Sequence, residues 1–303
     1  MDQDHFQKTI AKTATCSGIG VHSGQTVYLT VKAAPVNHGI QFARTDLPDK
    51  PRIQARFNKV VDTSLATVIG NDGFIVSTIE HLMAAFTGLS IDNALVEVNS
   101  YEMPIMDGSA GPFTRMLKLA GLKVQDAPRC YFIVMKPIEL SDGDKFVGIY
   151  PAPHFRVSCS IDFEHPLIGS QECSVIISGD NFEKQIADAR TFGFLQEQEY
   201  MKRYGLGQGA SLENVVVIDQ NGVLNKGGLR YPDEFVRHKL LDCVGDFALL
   251  GLPIYGHIVA KRSGHAFHHA FVEKFFLEKD AWQTKFINTA GDLIPRTEEQ
   301  FAN

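Results

Sequence analysis

Three short stretches carry side chains whose types and spacing could do chemistry. In Glu234-Phe-Val-Arg-His238-Lys239-Leu-Leu-Asp242-Cys-Val-Gly-Asp246, the residues His238, Asp242 and Asp246 recur every four positions. On a helix, residues four apart lie within ~6 Å of each other, so His238 and Asp242 could grip one ion without bending the backbone. In Ser77-Thr-Ile-Glu80-His81-Leu a carboxylate and an imidazole stand side by side where a helix starts. One reading is a capping box, in which Ser77 and Glu80 each satisfy an orphan backbone N–H and His81 is solvated. The other makes His81 a metal ligand and Glu80 a base beside it. Two histidines and an aspartate with a fourth position open match a catalytic zinc site. An isolated His-x-x-x-Asp is otherwise a solvated face with a weak pair. In the third stretch, Lys261-Arg262-Ser263-Gly264-His265, a histidine sits in a glycine-containing loop after an apolar run. That is a place for a catalytic acid and equally for a surface residue. His268 and His269 are adjacent, so their side chains diverge and no metal cluster is expected there.

These side chains need elements to position them. Apolar or alternating runs predict strands at Thr26–Val31, Gly39–Phe42, Ala94–Val98, Tyr131–Met135, Phe146–Ile149, Val157–Ile161, Cys173–Ile177, Val215–Ile218 and Ile254–Val259. Helical spacing predicts helices over Thr78–Leu89, Pro112–Ala120, Gln196–Tyr204, Glu234–Leu250 and Ala270–Phe276. A helix over Glu234–Leu250 puts Val236, Leu240, Val244 and Phe247 on one apolar stripe, with the His–Asp–Asp row opposite. The first helix buries Ile79, Leu82, Met83 and Phe86 and leaves His81 on its far side. Two such helices meeting at a cleft would bring the three candidate ligands together. Strands and helices come in groups rather than in regular alternation, which predicts an α+β fold with mostly antiparallel or mixed sheets. Each half holds several strands followed by prominent helices, so two similar domains are expected, 1–125 and 130–303, joined through Gly121–Arg129.

Composition narrows the function classes. The 303 residues carry 29 Lys+Arg against 35 Asp+Glu, a net charge of −6, which argues against nucleic acid or an anionic membrane as the main partner. No run approaches the ~20 apolar residues of a spanning helix. The N-terminus lacks the apolar core of a signal peptide. Five scattered cysteines without a Cys-x-x-Cys fit a reduced interior rather than a disulfide framework. A cytoplasmic protein is expected. Gly18-Ile-Gly20-Val-His-Ser-Gly24 does not fit a dinucleotide fingerprint, and Gly205-Leu-Gly207-Gln-Gly209 lacks the lysine of a phosphate loop.

Several motifs in order resemble one family. Gly18–Gly24, Ser77-Thr-Ile-Glu80-His81-Leu, Pro104-Ile-Met-Asp107-Gly-Ser-Ala-Gly-Pro-Phe113, Ala189-Arg-Thr191-Phe192-Gly-Phe194, Asp233–Asp242 and Ser263-Gly-His265-Ala resemble the UDP-3-O-acyl-N-acetylglucosamine deacetylases. The resemblance spans about Thr9 to Trp282. It implies a cytoplasmic hydrolase of lipid A biosynthesis that removes acetate from UDP-3-O-(3-hydroxyacyl)-N-acetylglucosamine; separately, a monomer is expected. It also implies two similar domains, each a helix layer on a sheet, with the active site between them and an acyl-chain passage near 195–215. Matched residue by residue, it makes His81, His238 and Asp242 the ligands of a zinc ion. A donor set of two imidazoles and a carboxylate accepts iron(II) as well. Glu80 becomes the general base, His265 the general acid, Asp246 its orienting carboxylate and Thr191 a hydroxyl at the oxyanion. Lys239, Phe192 and Thr191 become substrate contacts. Asp188, Ala210, Arg262, His268 and His269 depart from the family's usual residues, none at a proposed ligand or acid–base position. Two other readings remain at this stage: a metal-dependent hydrolase of another amide or a phosphate, and a non-catalytic module that binds a sugar nucleotide or lipid.

Overall fold

The structure, a computed structural model, describes residues 5–71, 73–197, 203–287 and 293–295. Strands gather into one large sheet in each half. In the first half, Ala14–Ile19, Thr26–Ala33, Ala94–Val98, Ile40–Arg44 and Arg52–Gln54 lie side by side in that order. The pairing is antiparallel except between Ile40–Arg44 and Ala94–Val98. Thr26–Ala33 shows the expected two-residue alternation: Val27, Leu29 and Val31 point into the core while Thr26 and Tyr28 face solvent.

The second half is built on an eight-stranded sheet. Its key strand, Ile254–Lys261, pairs antiparallel with Lys145–Tyr150 and parallel with Phe155–Phe163 and Cys130–Val134. Because that strand is held on both edges, the loop that follows it, and His265 beyond, are fixed in place. Two small sheets flank the large ones: Val60–Asp62 with Val68–Asn71 and Phe74–Val76, and Phe192–Phe194 with Val216–Asp219 and Gly222–Val223.

Five α-helices are named among the described residues: α1 (Glu80–Gly88), α2 (Gly111–Ala120), α3 (Gly179–Gln185), α4 (Glu234–Phe247) and α5 (His265–Leu277). Pro112 sits in the first turn of α2, as its missing N–H allows. The α+β class and mixed sheets are as the sequence predicts. Differences lie mainly in short elements. The helix α3, capped by the Ser178 side chain, and the edge strands Arg52–Gln54 and Val60–Asp62 are too short for periodicity to reveal. Gly121–Arg129, read as a joining segment, is largely a strand: Leu122–Pro128 pairs antiparallel with Phe6–Ile10. The middle of the expected helix Gln196–Tyr204, residues 198–202, lies outside the described residues.

The two halves share one continuous apolar core. It includes Leu82, Met83 and Phe86 of α1, Phe113 and Leu117 of α2, Leu240, Val244 and Phe247 of α4, and Phe271 and Phe275 of α5. The helices α1 and α4 meet inside it. A Cβ built on Gly245 of α4 would fall 2.1 Å from the Glu80 carbonyl oxygen of α1, so only glycine lets the two backbones approach this closely. No helix among the described residues is long and apolar enough to cross a membrane.

Candidate active site

The meeting of α1 and α4 decides what becomes of their polar sides. His81, His238 and Asp242 are 4%, 2% and 3% exposed, so the solvated-face reading is overturned. Their far sides are not cleft surface but interior, because a helix from the other half covers them. One nitrogen of each histidine and one oxygen of Asp242 all lie within 4.8 Å of one another. Asp242 Oδ1 is 3.6 Å from His81 Nε2 and 3.4 Å from His238 Nε2.

The tautomer of His238 follows from its second nitrogen. His238 Nδ1 donates to the Ala189 carbonyl at 3.0 Å, which can only accept. Burial pushes the His238 imidazole down to about 4, overcoming the opposite pull of Asp242. A neutral ring with a proton on Nδ1 aims a lone pair from Nε2 at an ionised carboxylate. Burial alone would raise Asp242, but His238 and Lys239 outweigh it and hold its carboxyl well below the ordinary range. Two acceptors buried this close repel unless a cation lies between them. The donor set, its burial and the backbone carbonyl that orients one imidazole fit a bound divalent metal.

Glu80 does not cap its helix. The helix begins at Glu80 itself, Ile79 occupies the cap position, and no side chain accepts from the first turn. Thr78 just before it has φ +63°, a left-handed conformation rare for a β-branched residue. That kink turns the Ser77 hydroxyl toward Thr78 Oγ1, 3.2 Å away, and frees the Glu80 carboxylate. Glu80 Oε2 accepts the Thr67 backbone N–H at 3.1 Å, and Oε1 lies 3.9 Å from His265 Nε2. Burial pushes the Glu80 carboxyl up, against the pull of His265 and His81.

His265 opens α5 and donates Nδ1–H to Asp246 Oδ2 at 2.8 Å. Burial disfavours its charge, yet Asp246, its hydrogen bond and the nearby Glu80 outweigh that and push the imidazole up to about 10. Burial alone would raise Asp246, but His265 and His268 outweigh it and hold its carboxyl below the ordinary range. Thr67 joins the two sides: its hydroxyl donates to Asp246 Oδ1 at 2.5 Å while its N–H holds Glu80. His268 is buried and also donates Nδ1–H to Asp246 Oδ2, at 2.7 Å. Asp246, His265 and His268 form a second convergent group, but it is knit together by those hydrogen bonds rather than by lone pairs facing one another.

The segment that carries Thr191 is anchored independently. Glu234, fully buried at the start of α4, accepts from the Arg190 N–H at 2.9 Å, from Arg190 Nε at 2.8 Å and from the Arg230 N–H at 2.6 Å. Thr191 N–H donates to the Gly108 carbonyl at 2.8 Å, so the turn just before α2 supports the same segment. Gly108 has φ +86°, and a Cβ there would sit 2.1 Å from the Asn214 carbonyl oxygen. Phe192 stands edge-on to His238, ring centroids 6.4 Å apart, and Lys239 Nζ lies 5.9 Å from the centre of the Phe192 ring. Lys239 also donates to Asp242 Oδ2 at 3.0 Å. Eight of the nine candidate residues are thus brought together by their side chains, and Thr191 adjoins them through its chain neighbour Phe192. Thr67, the Ala189 carbonyl and Gly245 were missed; only Gly245, a glycine inside a helical pattern, left a mark in the sequence. Of the departures from family habit, Asp188 pairs with Arg115 at 2.7 Å and Arg262 with Asp144 at 2.9 Å, both on the surface.

A buried carboxylate and a carboxylate-bound imidazolium that face each other, beside three side chains that could hold a metal ion, are the arrangement a metal-dependent hydrolase needs. Sequence comparison narrows the class. The chain belongs to the LpxC family, UDP-3-O-acyl N-acetylglycosamine deacetylase, whose sequence model matches residues 7–277. It is 48% identical over 277 residues to the UDP-3-O-acyl-N-acetylglucosamine deacetylase of Myxococcus xanthus (strain DK1622), covering 91% of this chain and 88% of the relative. The protein of that name from Pseudomonas entomophila (strain L48) is 44% identical over 94% of this chain and 95% of its own. The one from Syntrophus aciditrophicus (strain SB) is 40% identical over 98% and 95%.

Proposed function

We propose that this protein removes the N-acetyl group of UDP-3-O-(3-hydroxyacyl)-N-acetylglucosamine, giving acetate and the free amine, as a step of lipid A biosynthesis. The observation that carries the reading is the facing pair of Glu80 and His265 beside the His81–His238–Asp242 cradle, in a chain of this family. Zinc is the ion proposed for the cradle, and iron(II) suits the same donors. When bound, such an ion lowers the pKa of water toward ~7 and polarises a carbonyl.

The chain's own residues supply the proton traffic. Glu80, made more basic by burial, takes the proton of the attacking water. His265, held cationic by Asp246, gives its proton to the departing amine nitrogen, for which an amide has no other ready acid. Thr191 offers a hydroxyl to the developing oxyanion. Lys239, anchored by Asp242, and Phe192 line the approach and contact the substrate. The acyl chain is assigned to the insert near 195–215, of which residues 198–202 lie outside the described residues; the exposed apolar side chains Leu206 and Leu212 support that assignment. Domains 1–125 and 130–303, a monomer and a cytoplasmic location complete the proposal, each half having its own sheet and helices.

The test is acetate release from the UDP-sugar substrate by purified protein, with chelator and metal add-back. Activity should vanish with chelator and return with sub-stoichiometric zinc. Glu80→Ala should keep the metal and lose about 10²–10⁴ in kcat. Full activity in Glu80→Ala, or phosphate released in place of acetate, would overturn the reading.

A further inference from the structure

His268 lies outside the proposed catalytic set, yet it is 2% exposed and both of its ring nitrogens are engaged. Nδ1 donates to Asp246 Oδ2 at 2.7 Å, and Nε2 lies 2.9 Å from Ser263 Oγ. His265 and His268 stand three residues apart on α5, so they share one helical face. Their rings are nearly perpendicular, with centroids 6.5 Å apart. Both point Nδ1 at the same oxygen of one carboxylate on α4. Asp246 thus has three anchors: Thr67 on Oδ1 and two imidazoles on Oδ2.

We infer that His268 is a positioning residue for His265: it fixes the Asp246 carboxylate, and through it the orientation of the ring that faces Glu80. The inference rests on the proposed role of His265 as the proton donor. Without His268, Oδ2 keeps only the bond to His265, and the carboxylate can turn about the Thr67 contact and carry the ring with it. Ser263 gives the arrangement its second function. It lies at the end of the loop leading into α5, where Arg262 has φ +48°, and its contact with His268 ties that loop to the acid's partner. His268 also packs on Phe247, centroids 5.7 Å apart, so a purely apolar role is the competing explanation.

Two substitutions separate hydrogen bonding from packing. The amide of asparagine occupies the place of Nδ1, and that of glutamine the place of Nε2. His268→Gln, with His268→Leu beside it, should lower kcat about 10–100-fold, part of the ~10²–10⁴ that a positioned proton donor supplies. KM should stay within about threefold and the metal content unchanged. His268→Asn should restore kcat to within about threefold of the unmodified protein. Proton NMR of the metal-loaded protein gives a readout apart from activity: the downfield Nδ1–H signal of His265 should persist in His268→Asn and move or vanish in His268→Gln. If His268→Leu fails to fold, the asparagine and glutamine variants carry the comparison alone. Equal loss in both, or unaltered kcat and signal in His268→Gln, would overturn the inference. His265→Ala is the control for the underlying reading. Full activity there would remove His265 as the acid, while the NMR comparison would still decide whether His268 orients its ring.

Discussion

Replacing Gly245 by alanine tests whether the metal cradle depends on how closely α1 and α4 approach. The added Cβ would lie 2.1 Å from the Glu80 carbonyl oxygen, 2.8 Å from its carbon and 3.0 Å from its Cα. All three are backbone atoms of α1, so no side chain can swing aside. Tolerable contacts begin at 3.0–3.4 Å, and the helices must part by about 1 Å, several times the ±0.2 Å tolerance of metal–ligand distances. His81 rides on α1, one residue past the contact, whereas His238 and Asp242 ride on α4. Separation therefore pulls one proposed ligand away from the other two. Two effects oppose each other in stability. Alanine favours a helix interior by about 1 kcal/mol over glycine, while overpacking of a close interface costs about 1–3 kcal/mol. With backbone on one side of the clash the second wins, and metal-free Gly245→Ala should lose about 1–2 kcal/mol. Zinc affinity should fall about 100-fold, equivalent to about 2.7 kcal/mol. Competition with a chromophoric chelator measures the affinity, and thermal unfolding of the metal-free protein measures the stability. A variant that loses stability but binds zinc as tightly as before would refute the coupling between helix spacing and the cradle.

Other perturbations probe the ligands and their supports. Alanine at His81, His238 or Asp242 should abolish stoichiometric metal in gently purified protein, read by elemental analysis. Glu234→Ala should destabilise by about 3–5 kcal/mol, because it leaves Arg190 buried without its partner; denaturant unfolding measures this, and the loosened Ala189 carbonyl should weaken metal binding as well. His265 is raised in the folded protein to about 10 from an unfolded value near 6.5. Its contribution to stability is therefore fully present below about pH 6.5 and is lost as pH rises through about 10. Metal-free protein should accordingly lose thermal stability between about pH 7 and pH 10, and His265→Ala should show a flatter decline over the same window.

Much of the site could be read from one-dimensional spacing. The four-residue step from His238 to Asp242 to Asp246 is a property of the helix itself, so any helix over Glu234–Phe247 puts these side chains in a row. The same holds for the apolar stripe opposite and for the alternation in Thr26–Ala33. The motifs, taken in order, also carried the resemblance to the family. Local periodicity does not reveal what covers a helix, and both polar rows read as solvated or cleft-facing when they are interior. Only the packing of one half on the other buries His81 with His238, 157 positions apart, and turns two ordinary acceptors into a cradle that calls for a cation. The capping box was locally sound and failed because Thr78 takes a left-handed conformation, a strain that the surrounding fold imposes. Thr67, the Ala189 carbonyl and His268 act through contacts across the chain, and no spacing announces them. Residue types and local spacing thus determined which side chains were available and along which helix they lay. The tertiary structure decided which were buried, which protons they keep and which of them face one another, because burial and proximity between distant segments are properties of the packed chain.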